Sequence, residues 1–188
     1  MGASESADED LCSAIRLNDF PQFCHLLRSK GPTQPLHLRD FESRPTVLHL
    51  LCLFGRLHML ETLSAVFPCV SLDTPDDFGD TPLITAVKIR SSAVVSHLLA
   101  SGASANVRNE LDDRDSPLHY ASLEGDLSTV RALLAAGAEV DAPNQHRMTP
   151  LMYAVQAGHS QVAQLLTTAG ADSALRDRRD KSARDYGL

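Results

Sequence analysis

The stretch that decides the fold is residues 116–138, which read SPLHYASLEGDLSTVRALLAAGA. It predicts two short helices: Ser116 can cap the first by accepting from free backbone N–H groups, and Pro117 suits the first helical position because that N–H has no partner in a helix. Gly125 and Gly137 end the two helices. Each helix has apolar or small residues on one face, and two helices this short cannot bury those faces alone. The unit therefore needs copies of itself stacked on either side.

Such copies occur in register along the chain, at a spacing of 33 to 37 residues. The leucine of the first helix recurs as Leu11, Leu48, Leu83, Leu118 and Leu151. Three positions later comes a small or apolar residue, namely Ala14, Leu51, Ala86, Ala121 and Ala154. Five copies in register cover nearly the whole chain.

The repeated pattern resembles the ankyrin repeat, whose period is about 33 residues and whose first helix opens with Thr-Pro-Leu-His. The matching openings are Thr46-Val47-Leu48-His49, Thr81-Pro82-Leu83, Ser116-Pro117-Leu118-His119 and Thr149-Pro150-Leu151. The matching repeat endings are Gly102-Ala103, Gly137-Ala138 and Gly170-Ala171-Asp172. The resemblance implies an all-α solenoid of stacked helix-turn-helix units with loop or β-hairpin fingers between them.

The sequence predicts one domain after an acidic tail. Residues 1–10 carry four acids and no base and are expected to be disordered, while residues 11–188 form the repeat domain. The paths of the long loops 28–45 and 64–79 are left open. The predicted repeats are approximately residues 11–38, 46–75, 79–108, 114–143 and 147–175, followed by a C-terminal cap at 176–188.

Composition agrees with a solenoid of small aliphatic layers, because 43% of the residues are hydrophobic, 5% are aromatic and tryptophan is absent. The four cysteines form no C-x-x-C pair and are interpreted as reduced packing residues. No apolar run is long enough for a membrane span or a signal region. We therefore expect a cytoplasmic or nuclear protein.

No pattern predicts catalysis, a cofactor or a metal site. The sequence has no glycine-rich phosphate loop, no H-E-x-x-H, no G-x-S-x-G and no Cys/His spacing suited to zinc. The acids of residues 73–80 miss the spacing of a calcium loop and are interpreted as solvated. His49, His119 and His159 lie at motif positions where the imidazole bonds local backbone, so we interpret them as structural. The sequence therefore predicts a protein that is not an enzyme.

Two local features need a separate interpretation. Arg90 stands where the turn between the two helices takes glycine, and because an arginine with positive φ carries strain, that turn is expected to be reshaped. Ser116-Pro117, Thr81-Pro82 and Thr149-Pro150 look like proline-directed phosphorylation sites. We discount them because each hydroxyl already caps a helix.

The resemblance also implies where a partner binds, namely the concave face made by the loop tips and the outward side of the first helices. The positions that correspond in this chain are Phe54, Asp76, Asp77, Phe78, Asp80, Lys88, Ile89, Asp113, Asp115, Leu123, Glu124, His146, Met148 and Gln156. The apolar members are candidate anchors, since buried aromatic and aliphatic side chains supply most interface energy. Packing between repeats is the alternative role for each of them.

Charge favours a basic partner. Residues 73–80 carry four acids and no base, and residues 108–115 carry four acids against two arginines, in a chain of net charge −7. Such a field disfavours nucleic acid and steers basic segments toward the groove. We therefore predict a monomeric, non-catalytic adaptor or scaffold that binds a basic or amphipathic segment of a protein partner. The alternative is a dedicated inhibitor or assembly chaperone of one enzyme or complex subunit.

The N-terminus carries one further pattern. Residues 1–6 fit M-G-x-x-x-[ST], so Gly2 is a candidate for myristoylation after removal of methionine. Asp8, Glu9 and Asp10 follow it and would be repelled by anionic lipid. Membrane contact is expected only through this modification, and a single myristoyl chain binds membranes marginally.

Overall fold

The chain is seen in a computed structural model that describes residues 3–29, 46–67 and 70–188. Within these ranges it forms ten α-helices, one short 3-10 helix and no β-strand. The helices are α1 (Ala3–Leu17), α2 (Phe20–Ser29), α3 (Val47–Leu53), α4 (Leu57–Val66), α5 (Pro82–Lys88), α6 (Ser92–Ala100), α7 (Pro117–Leu123), α8 (Leu127–Ala135), α9 (Pro150–Gln156) and α10 (Ser160–Thr168), and the 3-10 helix is Arg184–Tyr186.

The helices are arranged in two stacked rows. Each odd-numbered helix packs against the even-numbered helix that follows it, as α1 does against α2. Each odd-numbered helix also packs against the next odd-numbered one, and α2, α4, α6, α8 and α10 form the parallel row in the same way. This confirms the predicted all-α solenoid. The core runs along it as one cluster of leucine, alanine and valine from Leu11 to Ala183.

The first helix of a repeat begins at its predicted capping residue. Thr81 Oγ1 accepts from the Ile84 N–H at 3.3 Å, and Thr149 Oγ1 accepts from the Met152 N–H at 3.4 Å. Proline follows each of these caps at the first helical position. Because an N-cap satisfies a free donor and fixes the entry of the chain, the Thr-Pro pair sets where each helix starts.

His49 joins two successive repeats through backbone groups, as its structural interpretation predicts. Its Nδ1 accepts from the Thr46 N–H at 3.1 Å, which places the ring proton on Nε2, and Nε2 donates to the Asp80 carbonyl at 2.8 Å. The corresponding contacts of His119 are with Ser116 at 3.2 Å and Met148 at 3.0 Å. Burial lowers the pKa of His119 from its ordinary value against the opposing effect of Asp115, so burial favours the neutral ring.

The turn at Arg90 corrects the prediction that it is reshaped. Arg90 has φ +59°, and Ser91 N–H donates to the Ala86 carbonyl at 3.1 Å. The glycine turn at Gly125 closes in the same way, with Asp126 N–H donating to the Ala121 carbonyl. The turn hydrogen bonds therefore hold the arginine in the left-handed region at a cost of about 1 kcal/mol.

The N-terminus also differs from the sequence prediction. Residues 1–10 are predicted to be a disordered tail, but α1 begins at Ala3, so the backbone of residues 3–10 is helical. These residues contain neither proline nor glycine, the two residues that most disfavour a helix, so the helix can extend from Leu11 toward the N-terminus. The myristoylation candidate Gly2 and residues 30–45 and 68–69 of the two long loops lie outside the described residues.

The C-terminal residues pack on the last helix pair that the structure describes. Ser182 and Ala183 are buried, and the 3-10 helix packs against α9. Tyr186 OH donates to Asp177 Oδ2 at 2.6 Å, which ties the last residues to the preceding loop. A cap of this kind keeps the final apolar layer from solvent.

Gly125 and Gly158 offer a matched pair of substitutions. Both have positive φ, +69° and +78°, so alanine at either site costs about 1 kcal/mol of backbone strain. A Cβ on Gly125 would also lie 2.6 Å from Nδ1 of His159, whose Nε2 contacts the Leu123 carbonyl, whereas a Cβ on Gly158 meets nothing within 4 Å in the described residues. We expect Gly125→Ala to lower the free energy of unfolding by about 2 kcal/mol more than Gly158→Ala does, measured by urea denaturation. Equal losses would contradict the close packing of His159 on this turn.

The Ser122 hydroxyl generates a second stability prediction. It is fully buried in α7, and its Oγ has no hydrogen-bond partner among the described residues. A buried hydroxyl without a partner costs about 1 kcal/mol or more, so Ser122→Ala should stabilise the fold by about 1 kcal/mol. Ser116→Ala is the control, since that hydroxyl contacts His119 Nδ1 at 2.8 Å and its loss should destabilise by about 1 kcal/mol. A lower melting temperature for Ser122→Ala would show that the hydroxyl is satisfied after all.

Candidate partner-binding surface

Four loops between successive repeats are built on the same turn, and we call them finger A (residues 76–80), finger B (109–115), finger C (144–148) and finger D (177–181). In each finger the first residue is Asp or Asn, and its Oδ1 accepts from two backbone N–H groups of the same loop at 2.8 to 3.0 Å. These first residues are Asp76, Asn109, Asn144 and Asp177. Side-chain bonds of this kind replace a strand ladder, so the fingers are turns and not β-hairpins.

Adjacent fingers are joined by the amide of the asparagine. Asn109 Nδ2 donates to Asp80 Oδ1 at 2.7 Å, and Asn144 Nδ2 donates to Asp115 Oδ1 at 2.9 Å. Finger D begins with an aspartate, and the corresponding position of finger C is Met148, which has no carboxylate. A finger that ends in aspartate is therefore followed by a finger that begins with asparagine. The asparagine amide donates to the aspartate carboxylate, whereas an aspartate in its place would repel it.

Long side chains from the first helices hold the fingers in place. Lys88 Nζ donates to both carboxylate oxygens of Asp80 at 2.8 and 2.7 Å and lies 4.5 Å from the centre of the Tyr120 ring. Tyr120 OH donates to Asp112 Oδ2 at 3.2 Å, and burial together with the nearby Asp112 charge raises the pKa of Tyr120. Tyr153 OH donates to Asp115 Oδ2 at 3.1 Å. Fingers A and B are thus tied to the helices behind them.

These contacts change the role of several residues predicted to meet a partner. Asp80 and Asp115 are buried and bonded within the protein, so neither is available on the surface. Asp113 is half-buried and binds the Gln145 side chain and His146 Nε2, the latter at 3.0 Å. The remaining residues with internal roles are Asp76, bonded within finger A, Lys88, bonded to Asp80, and Met148, packed against the core.

The other predicted residues lie on the surface or at its edge. Phe78 stands out because 65% of its surface is exposed at the tip of finger A. Phe54 and Leu123 are exposed at the C-terminal ends of α3 and α7. Asp77, Glu124, His146 and Gln156 are exposed as well, and Ile89 is half-buried.

Sequence reasoning missed Leu111, which is 69% exposed at the tip of finger B. Its Cγ would lie 3.1 Å from a Cβ on Gly79, so Leu111 lies beside Gly79 of finger A, the residue that follows Phe78. The signal was available in the sequence, because finger B has two more residues than finger C and the extra length raises its tip. We call Phe78 and Leu111 the apolar tips.

The residues that the structure describes contain neither a metal-binding cluster nor a membrane-spanning helix. No group of three or more His, Cys, Asp or Glu side chains there could hold a metal ion. No helix in the same residues is long and apolar enough to cross a membrane.

Comparisons with known proteins agree with the repeat pattern. Residues 90–177 match the family model for ankyrin repeats in three copies. The chain is 34% identical over 151 residues to the ANK repeat-containing protein nipk-1 of Caenorhabditis elegans, an alignment that covers 73% of this chain and 24% of that protein. It is 30% identical over 164 residues to the human B-cell lymphoma 3 protein, covering 85% of this chain and 32% of that protein.

A putative palmitoyltransferase, ZDHHC13 of Danio rerio, is 37% identical over 110 residues, covering 58% of this chain and 17% of that protein. The chain therefore spans at most about a third of the length of each of these relatives.

The link between fingers A and B generates a prediction. Asn109→Asp keeps the shape of the side chain but replaces a donor 2.7 Å from Asp80 with a second carboxylate. We expect a loss of about 2 kcal/mol in the free energy of unfolding at pH 7, because a buried hydrogen bond is lost and like charges face each other. If the variant is as stable as wild type at pH 7, the hydrogen bond between Asn109 and Asp80 contributes nothing to stability.

Proposed function

The chain belongs to the ankyrin repeat family, and we propose that it acts as a monomeric, non-catalytic protein-binding module that holds a segment of one partner protein against fingers A and B. The apolar tips are the observation that carries this proposal. Phe78 and Leu111 are large apolar side chains, both more than half exposed, on neighbouring loops. Side chains of this kind supply most of the binding energy when a partner covers them.

The rigidity of the two fingers supports the same role. Finger A is held by Asp76 within the loop, and its Asp80 is held by Lys88 and Asn109 from outside it. A loop that is already ordered loses little conformational entropy on binding. The tips are therefore presented in one geometry, and a partner does not have to order them.

The charge around the tips supports a partner segment that is basic or amphipathic. Asp77, Glu110 and Asp112 are exposed next to the two apolar side chains. The nearby arginines are paired with acids, Arg114 with Glu110 at 3.0 Å and Arg108 with Glu139 at 3.3 Å. An acidic rim acts mainly on the association rate, through steering of the encounter.

The non-catalytic part of the proposal is supported by the use of the polar groups. Asp80 of finger A, Asp115 of finger B, and the Tyr153 phenol of α9 are engaged in holding the loops. One relative is named a putative palmitoyltransferase, but the alignment covers only 17% of that protein, so its name does not argue for catalysis by this chain.

We also propose that the protein works in the cytoplasm or nucleus. Cys24 and Cys52 are free thiols, and Cys52 is buried in the core. Free core thiols are typical of reducing compartments. Fluorescence microscopy of the tagged full chain tests this location, and a secreted or luminal signal would overturn it.

The partner can be identified by comparing what is captured by wild type, by a variant without the apolar tips and by control variants. The full chain, immobilised, is incubated with an extract of its native cells, and bound proteins are quantified by mass spectrometry for wild type and for the double variant Phe78→Ala, Leu111→Ala. Arg131→Glu on α8 and Val66→Ala at the end of α4 change exposed residues away from the fingers and serve as controls. One stoichiometric partner would indicate an inhibitor or chaperone, and several would indicate an adaptor.

We expect a protein to be captured by wild type and by both controls and to be lost with the double variant. With that protein purified, Phe78→Ala alone should weaken binding by about 2 kcal/mol, roughly 30-fold in Kd, mainly through faster dissociation. Circular dichroism melts of each variant check that the fold survives. Capture that survives loss of both tips but is abolished by Arg131→Glu would place the binding surface on the opposite side and overturn the proposal.

A further inference from the structure

We propose that Thr74 is a phosphorylation site for proline-directed protein kinases, placed between α4 and finger A. The sequence contains four Ser-Pro or Thr-Pro pairs, which are Thr74-Pro75, Thr81-Pro82, Ser116-Pro117 and Thr149-Pro150. A kinase that reads the proline alone would not distinguish them. The structure separates Thr74 from the other three by burial and by what each hydroxyl does.

The other three hydroxyls are part of the fold. Thr81, Ser116 and Thr149 are buried at the starts of α5, α7 and α9. Thr81 and Thr149 accept from helix N–H groups, and Ser116 Oγ contacts His119 Nδ1 at 2.8 Å. Moving any of them into a kinase active site requires the first helix of its repeat to unfold, so the native protein protects them.

Thr74 lies in a different setting. Residues 73–76 have no helix or strand, Thr74 is half-buried, and its hydroxyl makes no hydrogen bond with any residue that the structure describes. Pro75 biases Thr74 toward extended backbone. The hydroxyl can therefore be moved or modified without breaking a contact that holds the fold.

The chain on either side of Thr74 is held in place. Asp73 Oδ1 accepts from the Ser104 N–H of the next repeat at 3.0 Å, and Asp76 Oδ1 accepts from the Phe78 and Asp80 N–H groups at 3.0 Å. A segment already ordered and extended costs little entropy to dock.

Open space flanks Thr74 on both sides along the chain. Residues 70–73 line one cleft together with Phe67 and Ser101, and Pro75 and Asp76 line another together with Arg108 and Leu111. Thr74 lies between these two clefts. Thr74 itself lines neither cleft and packs outside the hydrophobic core cluster.

The chemical step is an ordinary phosphoryl transfer from Mg-ATP. Thr74 Oγ1 forms a bond to the γ-phosphorus, the bond from that phosphorus to the oxygen bridging the β- and γ-phosphates breaks, and ADP leaves with that oxygen. The hydroxyl proton passes to the kinase base. The product carries about −1.5 to −2 additional charge at neutral pH.

The added charge lies between Asp73 and Asp76 in the chain, four residues before the exposed Phe78. If the proposed binding of a basic segment holds, phosphorylation makes the acidic rim stronger and raises the association rate and its salt dependence. This consequence rests on the proposed function, whereas the site itself does not.

The site is tested on the full native chain with purified kinases. Wild type and Thr74→Val are incubated with Mg-ATP and, separately, a cyclin-dependent and a mitogen-activated protein kinase. Intact mass and peptide fragmentation then locate the phosphate. Synthetic peptides of residues 70–80, 112–122 and 145–155 are the controls, because in them no fold protects the hydroxyls.

We expect all three peptides to be modified, the folded chain to gain one phosphoryl group on Thr74, and Thr74→Val to gain none while melting within a degree or so of wild type. Modification of the folded chain at Thr81, Ser116 or Thr149 at a rate equal to that at Thr74 would overturn the proposal. So would a folded chain, or a peptide of residues 70–80, that neither kinase modifies at Thr74. A phosphorylated Thr74 with unchanged binding of the partner identified by the capture experiment would leave the site standing and count against the proposed function alone.

Discussion

A pair of seven- and nine-residue helices has one apolar face and too little surface to bury it, and this constraint governs the whole molecule. Leu118 and Val130 in one repeat are fully buried because α5 and α6 lie on one side of them and α9 and α10 on the other. Stability in such a stack is approximately a sum of repeat and nearest-neighbour terms. In the part of the chain that the structure describes, the main helix contacts accordingly join residues of one repeat or of two adjacent ones.

Polar side chains, like the apolar ones, make their contacts between adjacent repeats. His49 reaches the carbonyl of Asp80, 31 residues away, and Asn109 reaches the carboxylate of the same residue, 29 residues away. Both separations are close to one repeat. Asp80 is consequently a junction at which two repeats meet, and its burial follows from this position. The surface that we propose for binding is what remains exposed after these contacts are made, which explains why it consists of loop tips such as Phe78 and Leu111.

The sequence predicts the parts of the structure that depend on local rules. Thr81-Pro82 and Thr149-Pro150 mark helix starts because a cap and a proline act within one turn, and the structure has them there. The repeat spacing predicts the stack for the same reason. Exposure is less predictable, because it depends on what the next repeat supplies. Asp80 and Asp115 look like surface acids until Asn109 and Asn144 are placed beside them. Leu111 is exposed in the structure because finger B is longer than finger C, which holds its tip away from the helices.

The alternation of carboxylate and amide between fingers also restricts how the repeat array can change its length. Removal of residues 81–115 would bring Asn144 against Asp80, the same donor and acceptor that occur now, and the junction would be restored. Removal of residues 116–148 would bring Asp177 against Asp115, two buried acids with no asparagine amide between them. Both deletions take out one whole repeat of the period. The first deletion keeps an amide–carboxylate hydrogen bond between adjacent fingers, and the second does not. The repeats of this chain therefore have a fixed order even though they share one fold.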